Sequence, residues 1–306
     1  YAVMHTLGGS GDSIVVDGNA HYSTFVAAEK AGLKVYRVES RGEPEYLVDP
    51  QDYAGVIESV KADTGRLPVL TVLTHVDGSY GNIVDAARVG GVSHEYGVPF
   101  LLNTAYSSGR MPVDGGDVNA DFIAASCHKS WAAGGGNIGL LAASGDYAGE
   151  VFRKSADFAV KPLEILGCST RGSATVALMA SLPYVKERVK NWDDEVENAR
   201  WLSKQLGDVG IELMGEKPTS HDLCFYTSNV LYEISKTHKK KNYYLYRELK
   251  ERGVMGLKPG LTKHFKISTY RLSRAQVEHV AWLSGISWKS MDDEASIAAF
   301  DGNRFA

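Results

Sequence analysis

The feature that most constrains this chain is a repeated alternation of short apolar runs with amphipathic stretches. Ser13 to Val16 reads as a buried strand, His21 to Lys30 as a helix ended by Gly32, and Leu33 to Val38 as the next strand. The pattern then repeats: a helix over Gln51 to Ala62, a strand over Pro68 to Thr74, a helix over Asn82 to Tyr96 and a strand over Val98 to Asn103. Strands that are apolar along their whole length must be covered on both faces, so this alternation predicts a mostly parallel sheet with helices on either side. Asp121 to Ala125 and Asn137 to Ala142 add two strands, joined through the glycine-rich Ala132 to Gly136. The 32 glycines fall largely where strands hand over to helices, which marks tight turns rather than a flexible linker.

Around Cys168 the pattern changes. Ser173 to Lys190 and Asn191 to Leu206 read as two long helices, the second with Trp192, Val196, Ala199, Leu202 and Leu206 at helical spacing. Beyond Gly210, strand candidates over Ile211 to Met214, Leu223 to Thr227 and Phe265 to Tyr270 interleave with helices over Asn242 to Arg252 and Ser273 to Gly285. The expected organisation is a large α/β domain over 1–172, a helical spine over 173–206 and a small C-terminal α+β domain over 207–306. With 44% apolar and 23% charged residues in 306, disordered and fibrous architectures are excluded. No run of apolar residues suffices to span a membrane, and the first residues carry no signal-peptide pattern, so the expected location is the cytoplasm. A net charge of −4 confines any nucleic-acid contact to a local basic patch. Three cysteines, Cys127, Cys168 and Cys224, make neither a disulfide framework nor a four-cysteine zinc site. The helix-like start at Tyr1 reads as an internal one, with an earlier element expected upstream.

In open α/β sheets, ligands sit beyond the carboxyl ends of strands. Three such places carry polar residues: Asp17 to His21, Asn103 to Tyr106, and Ser126 to Lys129 followed by Ser130 and Trp131. The third is the sharpest. A lone strand-end lysine is ordinarily a solvated loop cation. Lys129, however, is flanked by Ser, His and a glycine-rich loop, the setting of a Schiff-base lysine beside an anion cradle, where desolvation frees the amine lone pair.

The arrangement of strand, SCHK and glycine-rich loop, with Asn103 and His21 at earlier strand ends, resembles the fold-type I pyridoxal phosphate enzymes. More closely, MHTLGGSGDSIVVDGNAHYST, LLNTAYSSGRMPV, AASCHKSWAAGGGNIGLL and LEILGCSTRG resemble the O-phosphoseryl-tRNA:cysteinyl-tRNA synthase family, over nearly the whole chain. The resemblance implies pyridoxal phosphate carried on Lys129, with Ser126, Cys127 and His128 near its phosphate, a backbone N–H of Cys127 among the contacts, Asn103 at the ring and His21 stacked on the pyridine face. It makes Lys129, His21 and Cys168 the catalytic residues. Most fold-type I enzymes carry Asp where this chain has Asn103, and an amide cannot hold the pyridinium proton by charge, which suits a β-elimination. The family's phosphate-binding loop and N-terminal cysteine pair would precede Tyr1.

The same resemblance implies that Cys168 handles sulfur, as a persulfide carrier or as a ligand of an iron–sulfur cluster; read alone it is a buried small hydrophobe. Arg271, in KISTYRLS, stands where fold-type I enzymes keep a carboxylate-binding arginine, although a tRNA-borne substrate has no free carboxylate. The run from Lys236 through Lys239, Lys240 and Lys241 to Tyr246 combines cations and tyrosines suited to tRNA. The implied activity is conversion of phosphoseryl-tRNA(Cys) to cysteinyl-tRNA(Cys), in a homodimer whose Gly134 to Gly136 approaches the partner's cofactor, and in complex with phosphoseryl-tRNA synthetase. Two alternatives stand: a cysteine desulfurase or selenocysteine-synthase-like enzyme of the same fold, and a non-catalytic tRNA-binding partner of a charging complex.

Overall fold

The structure is a computed structural model that describes residues 1–133, 136–164, 172–239, 243–255 and 263–289. It divides into two compact units, one of residues 1–42 and 46–192, the other of 43–45 and 193–306. The division falls between the two long helices of the expected spine, so that each counts with a different unit.

The first unit is built on strands β1 (Ser13–Asp17), β2 (Lys34–Val38), β3 (Leu70–Thr74), β4 (Phe100–Asn103), β5 (Phe122–Ser126) and β6 (Gly139–Ala143), in the order β2-β1-β3-β4-β5-β6. All pairings are parallel except β5 with β6. Helices α1 (Ala2–Leu7), α2 (Tyr22–Lys30), α3 (Asp52–Thr64), α4 (Ala86–Glu95), α5 (Gly145–Val151) and α6 (Gly172–Val189) complete it. Every residue of β1 and β3 is buried. The two faces of the sheet separate cleanly by residue parity. Val15, Leu73, Phe100 and Leu102 pack with Tyr53, Ile57 and Val60 of α3 and Val89 and Val92 of α4. Ile14, Val16, Leu70, Val72 and Leu101 pack with Val3 and Met4 of α1, Ala28 of α2 and Val151 of α5. Each such fully buried aliphatic side chain stabilises the fold by about 1.5–3 kcal/mol, which is why the continuous apolar runs settle in the middle of this sandwich.

The helix expected from Asn82 begins only at Ala86. The reason lies in Asp77, whose Oδ1 accepts the N–H groups of Ser79 (2.8 Å) and Tyr80 (2.5 Å) and whose Oδ2 accepts that of Asn82, winding the segment into a turn. Asp85 then caps α4 by accepting the Arg88 N–H at 3.0 Å.

In the second unit, α7 (Trp192–Gly207), whose first residue still counts with the first unit, leads to an antiparallel sheet of β7 (Glu212–Met214), β8 (Leu223–Thr227) and β9 (His264–Ser268), with α8 (Asn229–Thr237), α9 (Tyr244–Glu251) and α10 (Arg274–Lys289). Its core joins Ala199, Leu202 and Leu206 of α7 to Leu213, Tyr226 and Phe265 of the sheet, Leu245 and Leu249 of α9 and Val277 of α10. Helices α5 and α8 were not expected from periodicity; α8 is announced by Ser228, whose Oγ accepts the Leu231 N–H.

Candidate active site

Because β1, β3, β4 and β5 run parallel, their carboxyl ends, at Asp17, Thr74, Asn103 and Ser126, line one edge of the first unit's sheet. Lys129 stands three residues past the end of β5, in a turn tied on both sides. Its N–H donates to Ser126 O (3.1 Å), its carbonyl accepts from Ala132 (3.2 Å), and Cys127 exchanges backbone bonds with Ile138 and Ala133. The half-buried side chain reaches back so that Nζ lies 4.0 Å from the centroid of the Tyr106 ring, in the loop after β4. Burial, and then the charge of Arg110, push the Lys129 amine below the ordinary lysine range. A lysine so placed keeps a larger neutral fraction, the form that attacks a carbonyl or takes a proton.

The residues around it are locked in turn. Arg110 donates from Nε to Ser130 Oγ at 2.7 Å, and the Arg188 guanidinium, from the end of α6, donates to the Ser130 carbonyl. Trp131 Nε1 donates to Ser108 Oγ at 2.8 Å. Gly109 beneath that indole has φ +80°, and a Cβ there would meet Trp131 at 2.4 Å, so glycine is required both for the backbone and for the space. On the neighbouring strand end, the buried His75 shares a 3.0 Å hydrogen bond between Nδ1 and Ser107 Oγ, and burial pushes its pKa down to about 4. Asp17 Oδ2 accepts the Thr74 N–H at 2.7 Å, and burial raises its carboxyl to about 7.

The residues expected at the site fall out as follows. His21 caps α2, accepting the Ser23 N–H on Nδ1; desolvation and the charge of Lys129 lower its pKa, so the two side chains share one electrostatic environment. Asn103 is half-buried with Oδ1 turned onto the Ala105 N–H at 3.1 Å. Ser126 ends β5 half-buried, and His128 is exposed with Nδ1 3.3 Å from Ile138 O. Cys127 is fully buried against Ala125 and Ala133. Its N–H, expected to face a cofactor, donates instead to Ile138 O at 2.9 Å, because the β5–β6 pairing continues through that bond. Arg271, in the second unit, is exposed, with φ +61° and its N–H donated to Glu195 Oε1 at 3.0 Å. Lys239 is exposed beyond α8. Cys168, Lys240 and Lys241 lie outside the described residues.

Sequence reasoning missed His75, Ser107, Arg110 and Arg188, and singled out Ser130 without a role. His75 carried a usable signal, since it directly follows a wholly buried strand at the same edge. Arg188, 58 residues beyond Ser130 near the end of a long helix, carried none.

The comparisons agree with this geometry. A family model described as O-phosphoseryl-tRNA(Sec) selenium transferase, SepSecS, matches residues 4–302. The chain is 53% identical over 281 residues to the O-phospho-L-seryl-tRNA:Cys-tRNA synthase of Methanosarcina acetivorans, covering 92% of this chain and 72% of that protein. It is 46% identical to that of Methanocaldococcus jannaschii, over 92% of this chain and 74% of the relative. Among solved structures, a chain of the SepCysS–SepCysE N-terminal domain complex superposes with a TM-score of 0.89 at 45% identity, over 94% of this chain and 78% of that one. A cysteine desulfurase from Thermococcus onnurineus shares the fold, with a TM-score of 0.73 at 19% identity over 94% of this chain and 76% of that one. With a parallel sheet that gathers Lys129, Tyr106 and Arg110 at its carboxyl edge, and with relatives of this identity, the chain belongs to the O-phospho-L-seryl-tRNA:Cys-tRNA synthase family, on the fold of the fold-type I pyridoxal phosphate enzymes.

Proposed function

We infer that this chain is a pyridoxal phosphate-dependent transferase that converts O-phosphoseryl-tRNA(Cys) to cysteinyl-tRNA(Cys), losing phosphate from the β-carbon and gaining sulfur there. The observation that carries the reading is the Lys129 amine, half-buried over Tyr106 and held below its ordinary pKa, at a parallel-sheet edge in a chain 53% identical to a synthase of that name. Those residues fit the cofactor: a deprotonated amine can hold its aldehyde, and the close approach of Gly78, where a Cβ would meet the Tyr106 ring at 2.9 Å, keeps that ring in place beneath the amine. When bound, pyridoxal phosphate supplies the sink for the electron pair left on the substrate α-carbon.

The chain's own groups do the rest. Lys129 would hold the cofactor through its amine and, once freed, is placed to take the α-proton at Nζ and to return it to the α-carbon after sulfur has added. Ser126 and His128 would hold the cofactor phosphate, Asn103 would meet the ring and His21 would cover it. Phosphate departs from the β-carbon as the α-proton is taken, and a sulfide or persulfide sulfur adds in its place. Sulfide adds directly; from a donor that already carries sulfane sulfur, Cys168 would take it up as a persulfide, and a second thiol would reduce the disulfide left when that sulfur reaches the β-carbon. An iron–sulfur cluster would need ligands besides Cys168, and among the described residues no three His, Cys, Asp or Glu side chains converge on one point. Lys239 with Lys240 and Lys241 contacts tRNA phosphates, while Arg271 has no assigned part. The exposed Val176 and Met179 of α6, with exposed Phe158 and Val160, support a second copy of the chain as partner. The likeness to a chain solved in a SepCysS–SepCysE complex supports association with a partner of that kind. The described residues include no helix long and apolar enough to cross a membrane, and we place the activity in the cytoplasm.

The test offers the purified chain with cofactor three substrates: phosphoseryl-tRNA with sulfide, phosphoseryl-tRNA with a selenium donor, and free cysteine. Cysteinyl-tRNA from the first is expected. Preferential selenium transfer would favour the activity named by the family model, alanine from free cysteine a desulfurase, and tRNA binding without turnover a silent partner.

A further inference from the structure

At the carboxyl edge of the first unit's sheet, the loop after β2 carries a tyrosine in a conformation that few side chains adopt. Tyr46 has φ +51°, in the left-handed region where glycine or asparagine is the usual occupant. Its surroundings hold it there. The carbonyl accepts two side-chain amides, Asn19 Nδ2 at 2.8 Å from the loop after β1 and Asn82 Nδ2 at 3.1 Å from the loop after β3. The Tyr46 N–H donates to Gly42 O at 3.2 Å. The ring that this backbone presents lies flat on Tyr80, with centroids 4.0 Å apart and planes 2° from parallel.

The pair is not part of a core. Both tyrosines are half-buried, and neither belongs to a hydrophobic cluster of the first unit. Among the described residues Tyr46 makes no ring or cation contact besides Tyr80, and its hydroxyl makes no hydrogen bond. Backbone strain kept at a ring that fills no core points to a ligand for that ring. Contacts also join the pair to the reactive lysine. Tyr80 shares the Asp77 turn with Gly78, Gly78 sits against the Tyr106 ring, and Lys129 Nζ lies over that ring. Asn19 stands two residues before His21. The loop of Tyr46 offers no cationic track: it holds Glu43 and Glu45, and its one cation, Arg41, is paired with Asp49 at 3.1 Å. An aromatic platform without phosphate-binding charge suits the base at the end of an RNA rather than the RNA backbone.

We propose that Tyr46, backed by Tyr80, is the stacking platform for the 3′-terminal base of the aminoacylated RNA substrate, so that the amino acid esterified beside that base is directed toward Lys129. The assignment rests on the proposed reaction on a tRNA-borne amino acid and deepens it by naming where the end of the carrier is held. Every base has a π face, so such a stack adds affinity without reading sequence.

The experiment measures equilibrium filter binding of uncharged tRNA to the chain with cofactor, using a tRNA that ends in adenosine and the same tRNA lacking that terminal base. In the wild type, removal of the base is expected to weaken binding about tenfold, the size of one base–aromatic stack. Tyr46→Gly should bind the intact tRNA about tenfold more weakly and lose nothing further when the base is removed, because both changes delete one interaction. Tyr46→Phe, which keeps the ring, should match the wild type. Glycine fits the φ of Tyr46, so that variant keeps its fold and thermal midpoint, as circular dichroism checks. Should it not fold, Tyr46→Asn, which also tolerates the left-handed region, takes its place with the same expected loss. Wild-type binding that ignores the terminal base overturns the proposal. So does an equal cost of base removal in Tyr46→Gly and in the wild type, since the base is then held elsewhere, and so does a Tyr46→Phe as weak as Tyr46→Gly. Because binding is read on uncharged tRNA, this outcome is separate from failure of turnover on phosphoseryl-tRNA.

Discussion

The two units use their buried polar groups in opposite ways. In the first, Asp17, Thr74, His75, Asp77, Thr104, Ser107 and Ser130 are all buried, and all lie at or just past the carboxyl ends of strands. In the second, buried polar groups stitch α7 to its sheet: Ser203 Oγ meets Tyr226 Oη at 2.8 Å, and Thr269 Oγ1 donates to Glu195 O at 2.8 Å. The difference follows from strand direction. A parallel sheet brings every loop after a strand to the same edge, where side chains from β1, β3, β4 and β5 converge although they are far apart in sequence. An antiparallel sheet sends successive strand ends to opposite edges, so its polar residues serve locally as packing ties. The first arrangement concentrates perturbed groups, among them a lysine pushed down, a histidine at about 4 and an aspartate at about 7.

If that contrast is right, substitutions at the strand-end edge should cost chemistry with little stability, and substitutions in the second unit's core the reverse. The largest effect belongs to Lys129→Ala, expected to abolish turnover of phosphoseryl-tRNA and the absorption of lysine-bound cofactor while leaving the thermal midpoint nearly unchanged. An undiminished band would place the cofactor on another lysine. Next comes Leu202→Ala in the second unit, where the side chain is 1% exposed in the core; truncation should cost about 2–5 kcal/mol of stability in urea unfolding. A loss under about 1 kcal/mol would show that this core is loosely packed.

The third prediction sharpens the comparison through pH. In the native state Asp17 keeps its proton up to about pH 7, against an ordinary value of 3.8, so its contribution to stability is full below about pH 4 and falls as pH rises to 7. His75 stays neutral down to about pH 4 against an ordinary 6.5, so its contribution is full above 6.5 and is lost as pH falls toward 4. Over this shared window the two slopes oppose and largely cancel. Asp17→Asn should therefore make stability climb with pH between about 4 and 6.5, and His75→Gln should make it fall, each by roughly 1 kcal/mol per pH unit. Unfolding curves that keep the wild-type pH dependence in both variants would mean that neither group titrates as its burial requires. The smallest effect is Ser203→Ala, which removes one partner of the buried Tyr226 hydroxyl and should cost about 1 kcal/mol without altering turnover.

Much of the first unit was legible because its central strands, β1 and β3, are buried from end to end and carry apolar residues on both faces. Ile14, Val16 and Leu70 face one side and Val15 and Leu73 the other, and no arrangement except a sheet covered on both faces buries both sets. Lys129, His21 and Asn103 were legible for the same reason, as polar residues immediately beyond such strands. The start of α4 was misread because periodicity does not register that the Asp77 carboxylate can outbid a helix for three backbone N–H groups. The backbone N–H of Cys127 was misassigned because its partner, Ile138, is supplied by a later strand.

By itself, then, the sequence determined the alternation of strand and helix, the layered parallel sheet, and the polar residues waiting at the strand ends, all of which follow from local periodicity and burial. Only the tertiary structure decided that Tyr106 and Arg110 from one loop, Ser130 from another and Arg188 from the end of α6 meet around Lys129. Contacts are made through space, and no spacing along the chain encodes that an arginine 58 residues beyond Ser130 holds the residue next to a lysine.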